Sequence, residues 1–160
     1  MREAIFPMTA NGVSELRSEL EILKKIERPK VIADIAEARS HGDLRENSEY
    51  HAIKERQSFI EGRILEIETK LSNCRIIDIS QLPNKGKVIF GSTVTLLNYN
   101  TQTESTYQIV GEDEANLKES KISISSPLVR ALIRKCIGEI VKVQAPEGVV
   151  KYKIVDVKYS

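Results

Sequence analysis

Asp43 and Glu46 stand three residues apart in the stretch Gly42-Asp43-Leu44-Arg45-Glu46-Asn47, and Glu49 follows one turn later. Carboxylates suit hard cations, and magnesium is commonly held by one or two of them together with water and substrate phosphate. Two acids make a poor site alone, but they can complete a weak site half built in another molecule. In two-metal phosphoryl chemistry one ion activates water while the other stabilises the leaving oxygen, so ligands for a loosely held second ion would switch hydrolysis on. The same spacing fits a capping box, in which Asp43 accepts from the helix backbone and Glu46 reaches back. The two roles are compatible, because a cap can still expose a carboxylate oxygen. Glu49 can serve the positive end of a helix dipole.

His41 and His51 flank the acids, but no Cys or His pair has the compact spacing of a structural zinc site, and both read as solvent-exposed residues at helix ends. Arg39, Arg45, Lys54 and Arg56 surround the acids. Helical pairing with Glu37, Glu49 and Glu55 would contribute only a few tenths of a kcal/mol each; contact with RNA phosphate is the functional alternative. There is no Ser-His-Asp, phosphate-loop or dinucleotide-type glycine motif, which argues against an autonomous enzyme.

The elements on either side explain how such a group would be positioned. From Val13 the apolar residues Leu16, Leu20 and Leu23 keep one helical stripe. Pro29 removes a backbone donor and crowds the preceding turn, so a kink or short break is expected before the pattern resumes at Ile32, Ile35 and Ala36. After the acids, Ile53, Ile60, Ile64, Ile67, Leu71 and Cys74 form a heptad seam, with Gln57 in the remaining position. Two such helices joined by a few residues run antiparallel as a coiled-coil hairpin, about 45 Å long for roughly 30 residues an arm.

At Ser80-Gln81-Leu82-Pro83-Asn84-Lys85-Gly86-Lys87 the helical period stops. The expected organisation is a hairpin over 1–79, a linker at 80–87 and a second domain over 88–160. That domain carries short β-rich runs at Thr93–Leu97, Tyr107–Val110, Lys121–Ile124, Glu139–Gln144 and Val149–Val157, with Pro146-Glu147-Gly148 as a hairpin turn. One helix is inserted. Ser126 caps it, Pro127 opens it, Leu128, Val129, Leu132 and Ile133 form its apolar face, and Gly138 can end it. The fold class is α+β in two domains, the second built on an antiparallel sheet.

With 160 residues, 29% charged and a net charge of +1, the chain has no global pull towards nucleic acid, so such a partner must be met through a local patch or another protein. The isolated Cys74 and Cys136 suit reduced, partly buried thiols. No apolar run approaches a membrane span and the first residues lack a signal-peptide core, so the expected location is cytoplasmic without membrane contact.

The stretch GDLRENSEY from Gly42 to Tyr50, FIEGRI at Phe59–Ile64, and the blocks VIFGSTVTL, YQIVGEDEA and ISISSPLVRALI together resemble the bacterial Gre transcript-cleavage factors over nearly the whole chain. Glu49 followed by Tyr50 and His51 places the match closest to the GreA branch. The resemblance implies an antiparallel coiled coil followed by an FKBP-like domain. It further implies that this second domain docks at the rim of the RNA polymerase secondary channel while the coiled coil enters it. Asp43 and Glu46 would then help hold a magnesium ion shared with the polymerase, and the polymerase would cut its own backtracked RNA. Arg39 and Lys54 fall at basic family positions and would contact the nascent RNA 3′ segment. Arg45 replaces the serine or lysine common inside the motif, and Ile53 stands where alanine is frequent. A channel-binding inhibitor of the same shape is disfavoured by the presence of both acids. An FKBP-like isomerase or chaperone is disfavoured by the scarcity of aromatics beyond the linker, where Phe90 is the one phenylalanine.

Overall fold

The heptad pattern of the first half of the chain becomes two helical arms. In the computed structural model, which describes residues 6–40 and 48–159, α1 (Ala10–Ile22), a π-helical turn (Leu23–Glu27) and α2 (Arg28–Arg39) form one arm. The other is α3 (Ser48–Asn73), whose 26 residues at about 1.5 Å each reach about 39 Å. Ile60, Ile64 and Ile67 of α3 are buried, and Ile53, Gln57 and Leu71 are half-buried, as the seam requires. Cys74 lies past the helix: it opens β2 (Cys74–Ile77) and so is not a seam residue.

Past Pro29 the expected Ile32-Ile35-Ala36 stripe is corrected to Val31, Ile35 and Ala38, and Ile32 is 52% exposed. The π-helical turn is the reason. Arg28 N–H donates to Leu23 O, five residues back, so this turn holds one residue more than an α-turn. Val31 clusters with Ile60 and Ile64 and Leu23 packs against that cluster, although the two are eight residues apart where two heptad steps take seven. The wider turn also suits Pro29, which has no N–H to give and whose ring would meet the Lys25 carbonyl in a regular α-helix. The expected kink is thus a one-residue change of frame.

Ion pairs across the arms show that they are antiparallel. Asp34 meets Arg56 at 2.6 Å, Arg28 forks onto Glu61 at 2.8 and 2.9 Å, and Lys24 meets Glu68 at 3.3 Å. Arg63 forks onto Glu19 at 2.7 and 2.8 Å. The hydrogen bond from Arg63, ahead of any charge effect, holds the Glu19 carboxyl below its ordinary range. These pairs are partly exposed and contribute little stability each.

The chain divides into two compact units, Asn11–Cys74 and a second that joins Phe6–Ala10 to the chain from Arg75 onward. In the second, β1 (Phe6–Thr9) pairs with β2 in a two-stranded sheet. A five-stranded sheet is built from β3 (Thr93–Asn98), β4 (Thr103–Val110), β5 (Lys121–Ser123), β6 (Ile140–Ala145) and β7 (Gly148–Lys158), in the order β5-β4-β3-β7-β6. It is mixed, which corrects the antiparallel expectation at one edge: β5 runs parallel to β4. The other pairs are antiparallel, and Pro146-Glu147 turns β6 into β7 beside the Ala145–Gly148 pair.

One face of this sheet carries the core, with Val94, Leu96, Ile109, Val141, Ile154 and Val157 buried against Val129 and Leu132 of α4 (Pro127–Leu132). Ile154 and Val157 share that face despite odd spacing because a bulge shifts the β3–β7 register between Thr95 and Leu96. Ser126 caps α4 through its Oγ, which accepts from Val129 N–H at 3.3 Å. The helix ends at Leu132 and not at Gly138; Arg134 takes the left-handed turn at φ 69°. Residues 84–88 are tied to the rest of this unit: Asn84 Nδ2 donates to Val157 O of β7 at 2.8 Å and Val88 N–H to Lys135 O, just after α4, at 2.7 Å. Cys74 is half-buried as expected, whereas Cys136 is exposed; both are free thiols. Among the described residues no helix is long and apolar enough to cross a membrane.

Candidate functional site

α2 ends on Arg39, and Ser40 closes it by donating its N–H to Glu37 O at 3.0 Å and its hydroxyl to the same oxygen at 2.5 Å. α3 opens at Ser48 with Glu49 in its first turn. Antiparallel arms bring these two ends together. The Arg39 guanidinium lies over the Tyr50 ring at 5.9 Å, within cation–π range, and Tyr50 meets His51 edge-to-face at 5.6 Å and 66°. Lys54, one turn further, donates to Gln57 Oε1 at 3.1 Å.

Of the four cations read from the sequence, Arg56 is used within the stem. It pairs with Asp34 on the opposite arm, not with the neighbouring glutamates that helical spacing suggested. Arg39 and Lys54 are exposed, and among the described residues neither is joined in an ion pair. Lys54 keeps two ammonium protons beyond its bond to Gln57, and the Arg39 fork faces a ring that takes none of its protons. Two cations placed this way can receive phosphate. Arg45, His41, Asp43 and Glu46 lie outside the described residues. His51 is exposed, in keeping with its sequence reading.

Tyr50 is the residue that pattern reading passed over as a participant. It is half-buried and links the last residue of α2 to the first turn of α3. An aromatic beside a histidine, four residues before a lysine on an otherwise aliphatic and charged helix face, was the available signal.

Among the described residues no group of three or more His, Cys, Asp or Glu is placed to hold a metal ion, and Glu49 is the acid in the first turn of α3. In the sequence the acids Asp43, Glu46 and Glu49 offer carboxylate oxygens, the donor type that suits magnesium.

The chain matches two family models that between them span most of its length. Residues 6–76 match "Transcription elongation factor, N-terminal" and residues 83–159 match "Transcription elongation factor, GreA/GreB, C-term". It is 56% identical over 154 residues to the transcription elongation factor GreA of Psychromonas ingrahamii, covering 96% of this chain and 97% of that one. To the GreA of Francisella philomiragia it is 58% identical over 154 residues, covering 96% of each. Among solved structures it is similar to GreA factor homolog 1 of Thermus thermophilus, 26% identical with a TM-score of 0.43, covering 97% of this chain and 99% of that one. A seam-packed helical hairpin, a mixed-sheet domain and identity above one half over nearly the full length lead to one conclusion: the chain belongs to the GreA/GreB family of transcription elongation factors.

Proposed function

We propose that this chain binds RNA polymerase and stimulates the polymerase's own cleavage of backtracked nascent RNA, with Asp43 and Glu46 donating ligands to a magnesium ion shared with the polymerase. The observation that carries this reading is the meeting of the α2 and α3 ends. It sets Arg39 and Lys54, two cations that pair with no acid among the described residues, next to the connection that contains both acids in its sequence.

The shared ion supplies charge that acidifies a water and stabilises the leaving oxygen. The two carboxylates would hold it and orient the water. Arg39 and Lys54 grip phosphates of the RNA 3′ segment, and the Tyr50 ring limits the directions the Arg39 fork can take. Hydrolysis belongs to the polymerase active site, and the chain acts in trans. The heptad-packed stem gives α3 the length, about 39 Å, to reach a recessed site through the secondary channel.

The test is RNA cleavage by purified backtracked polymerase with the wild-type protein, Asp43→Asn and Glu46→Gln, across a magnesium titration and with polymerase binding measured in parallel. The expected result is stimulated cleavage by the wild type that either substitution abolishes while binding survives, with partial recovery at high magnesium. Cleavage lost only in proportion to binding would overturn ligand donation, as would binding by the wild type without any stimulation.

A further inference from the structure

The foot of the hairpin carries a contact for which the cleavage chemistry gives no reason. β1 runs directly into α1, and β2 follows directly from α3, so the two-stranded sheet holds both ends of the hairpin chain side by side. A two-stranded ribbon is marginal in water by itself. A carboxylate from the segment after β4 fastens this one. Glu114 accepts the Thr9 N–H at 3.1 Å on Oε2, the Thr9 hydroxyl on Oε1 and the Gly111 N–H at 2.8 Å on Oε2. Thr9 is 8% exposed and immediately precedes the first residue of α1. The approach is close enough to dictate residue type, because a Cβ on Gly111 would stand 2.5 Å from Pro7 O.

We propose that Glu114 is a positioning residue for stimulated cleavage, fastening the strand Phe6–Thr9 so that the root of α1 is fixed while the far end of the hairpin works. The proposal rests on the reading of the hairpin as the element that delivers Asp43 and Glu46. Three donors converge on one carboxylate, two of them from the residue before α1, and hydrogen bonds to an ionised acceptor are the stronger kind. A lever of about 39 Å magnifies any play at its root, and a shift of about 1 Å at a reacting centre can cost a hundredfold in rate.

Glu114→Ala and Thr9→Val test this with two readouts. Thr9→Val keeps the shape and the backbone donor and removes only the hydroxyl, so it covers the case in which Glu114→Ala fails to fold. The first readout is amide hydrogen exchange. Met8 and Thr9 are expected to exchange at least tenfold faster in Glu114→Ala and less so in Thr9→Val, while amides of β3 and β7 keep their wild-type rates. The second is cleavage by backtracked polymerase as a function of protein concentration. The saturated rate is expected to fall several-fold with the half-saturating concentration unchanged. Unchanged exchange at β1, equal acceleration across β3 and β7, or a rise in half-saturation with the saturated rate intact would each overturn the positioning role. A wild-type protein that stimulates no cleavage would instead overturn the functional reading, and the exchange data would still decide whether the fastening exists.

Discussion

The extra residue in the π-helical turn and the missing N–H of Pro29 should compensate each other, and a double-mutant cycle can measure this. Deleting Lys25 turns the turn back into α-helix and restores a strict heptad from Val13 through Leu16, Leu20 and Leu23 to Val31, Ile35 and Ala38. With Pro29 still present, the restored helix has a proline in its interior, which costs about 3 kcal/mol. Pro29→Ala alone leaves the extra residue in place and should change stability by less than about 1 kcal/mol. The double variant should lie within about 1 kcal/mol of wild type, giving a coupling of about 2–3 kcal/mol. Deleting Ala33 is the control. It is exposed, yet its loss rotates Ile35 and Ala38 off the seam, and the burial of an isoleucine alone is worth about 1.5–3 kcal/mol. Urea unfolding followed by circular dichroism reads all four, with an unchanged m-value as the check that the folded states are comparable. A double variant no more stable than the Lys25 deletion would refute the compensation, and so would a Lys25 deletion as mild as Pro29→Ala.

Two further outcomes follow from the charges. The Arg63 hydrogen bond depresses the Glu19 carboxyl in the folded hairpin, so its contribution is present above the unfolded carboxyl's titration and is lost as pH falls through the folded value. For a pair this exposed the loss is at most about 1 kcal/mol, visible as a lower urea midpoint in acid; Glu19→Gln should remove that part of the pH dependence, and an unaltered acid slope would count against it. Arg39→Ala and Lys54→Ala should each weaken the grip on RNA without touching the hydrolytic step. If each cation neutralises one phosphate, the salt dependence of half-saturation should become shallower by about 0.7 in log–log slope per cation removed, and parallel slopes would exclude phosphate contact.

The elements that could be read from the chain are those whose signal is local. The isoleucine heptads of α3 and the Ser126-Pro127 start of α4 needed only spacing and capping chemistry, and both are where those rules put them. What was missed depends on partners distant in sequence. β1 is four residues with a proline inside, and its backbone groups find partners in β2 and Glu114, far away in sequence. Cys74 fits the heptad arithmetic of α3, but pairing with β1 claims it for a strand. The parallel direction of β5 is set by the path of residues 111–120 through two short helical turns, for which turn composition gives no direction. At the site, residue types announced acids and cations plainly. Arg39 facing Tyr50 and Arg56 meeting Asp34 required the inter-arm register, which the π-helical turn had moved by one residue.

That register also grades the packing of the hairpin towards its working end. Ile60, Ile64 and Ile67 are buried in the stem, and the next seam positions, Gln57 and Ile53, are half-buried. Beyond them the arms meet through Tyr50 and the Arg39 guanidinium, a contact worth about 0.5–1 kcal/mol at an exposed site. Among the described residues, buried isoleucines at about 1.5–3 kcal/mol each therefore hold the stem more firmly than the Arg39–Tyr50 contact holds the ends of α2 and α3. Such a gradient suits a ligand donor that acts in trans. On the proposed reading the stem would resist bending, while Arg39 and Lys54 would exchange weak contacts with Tyr50 and Gln57 for stronger ones with phosphate.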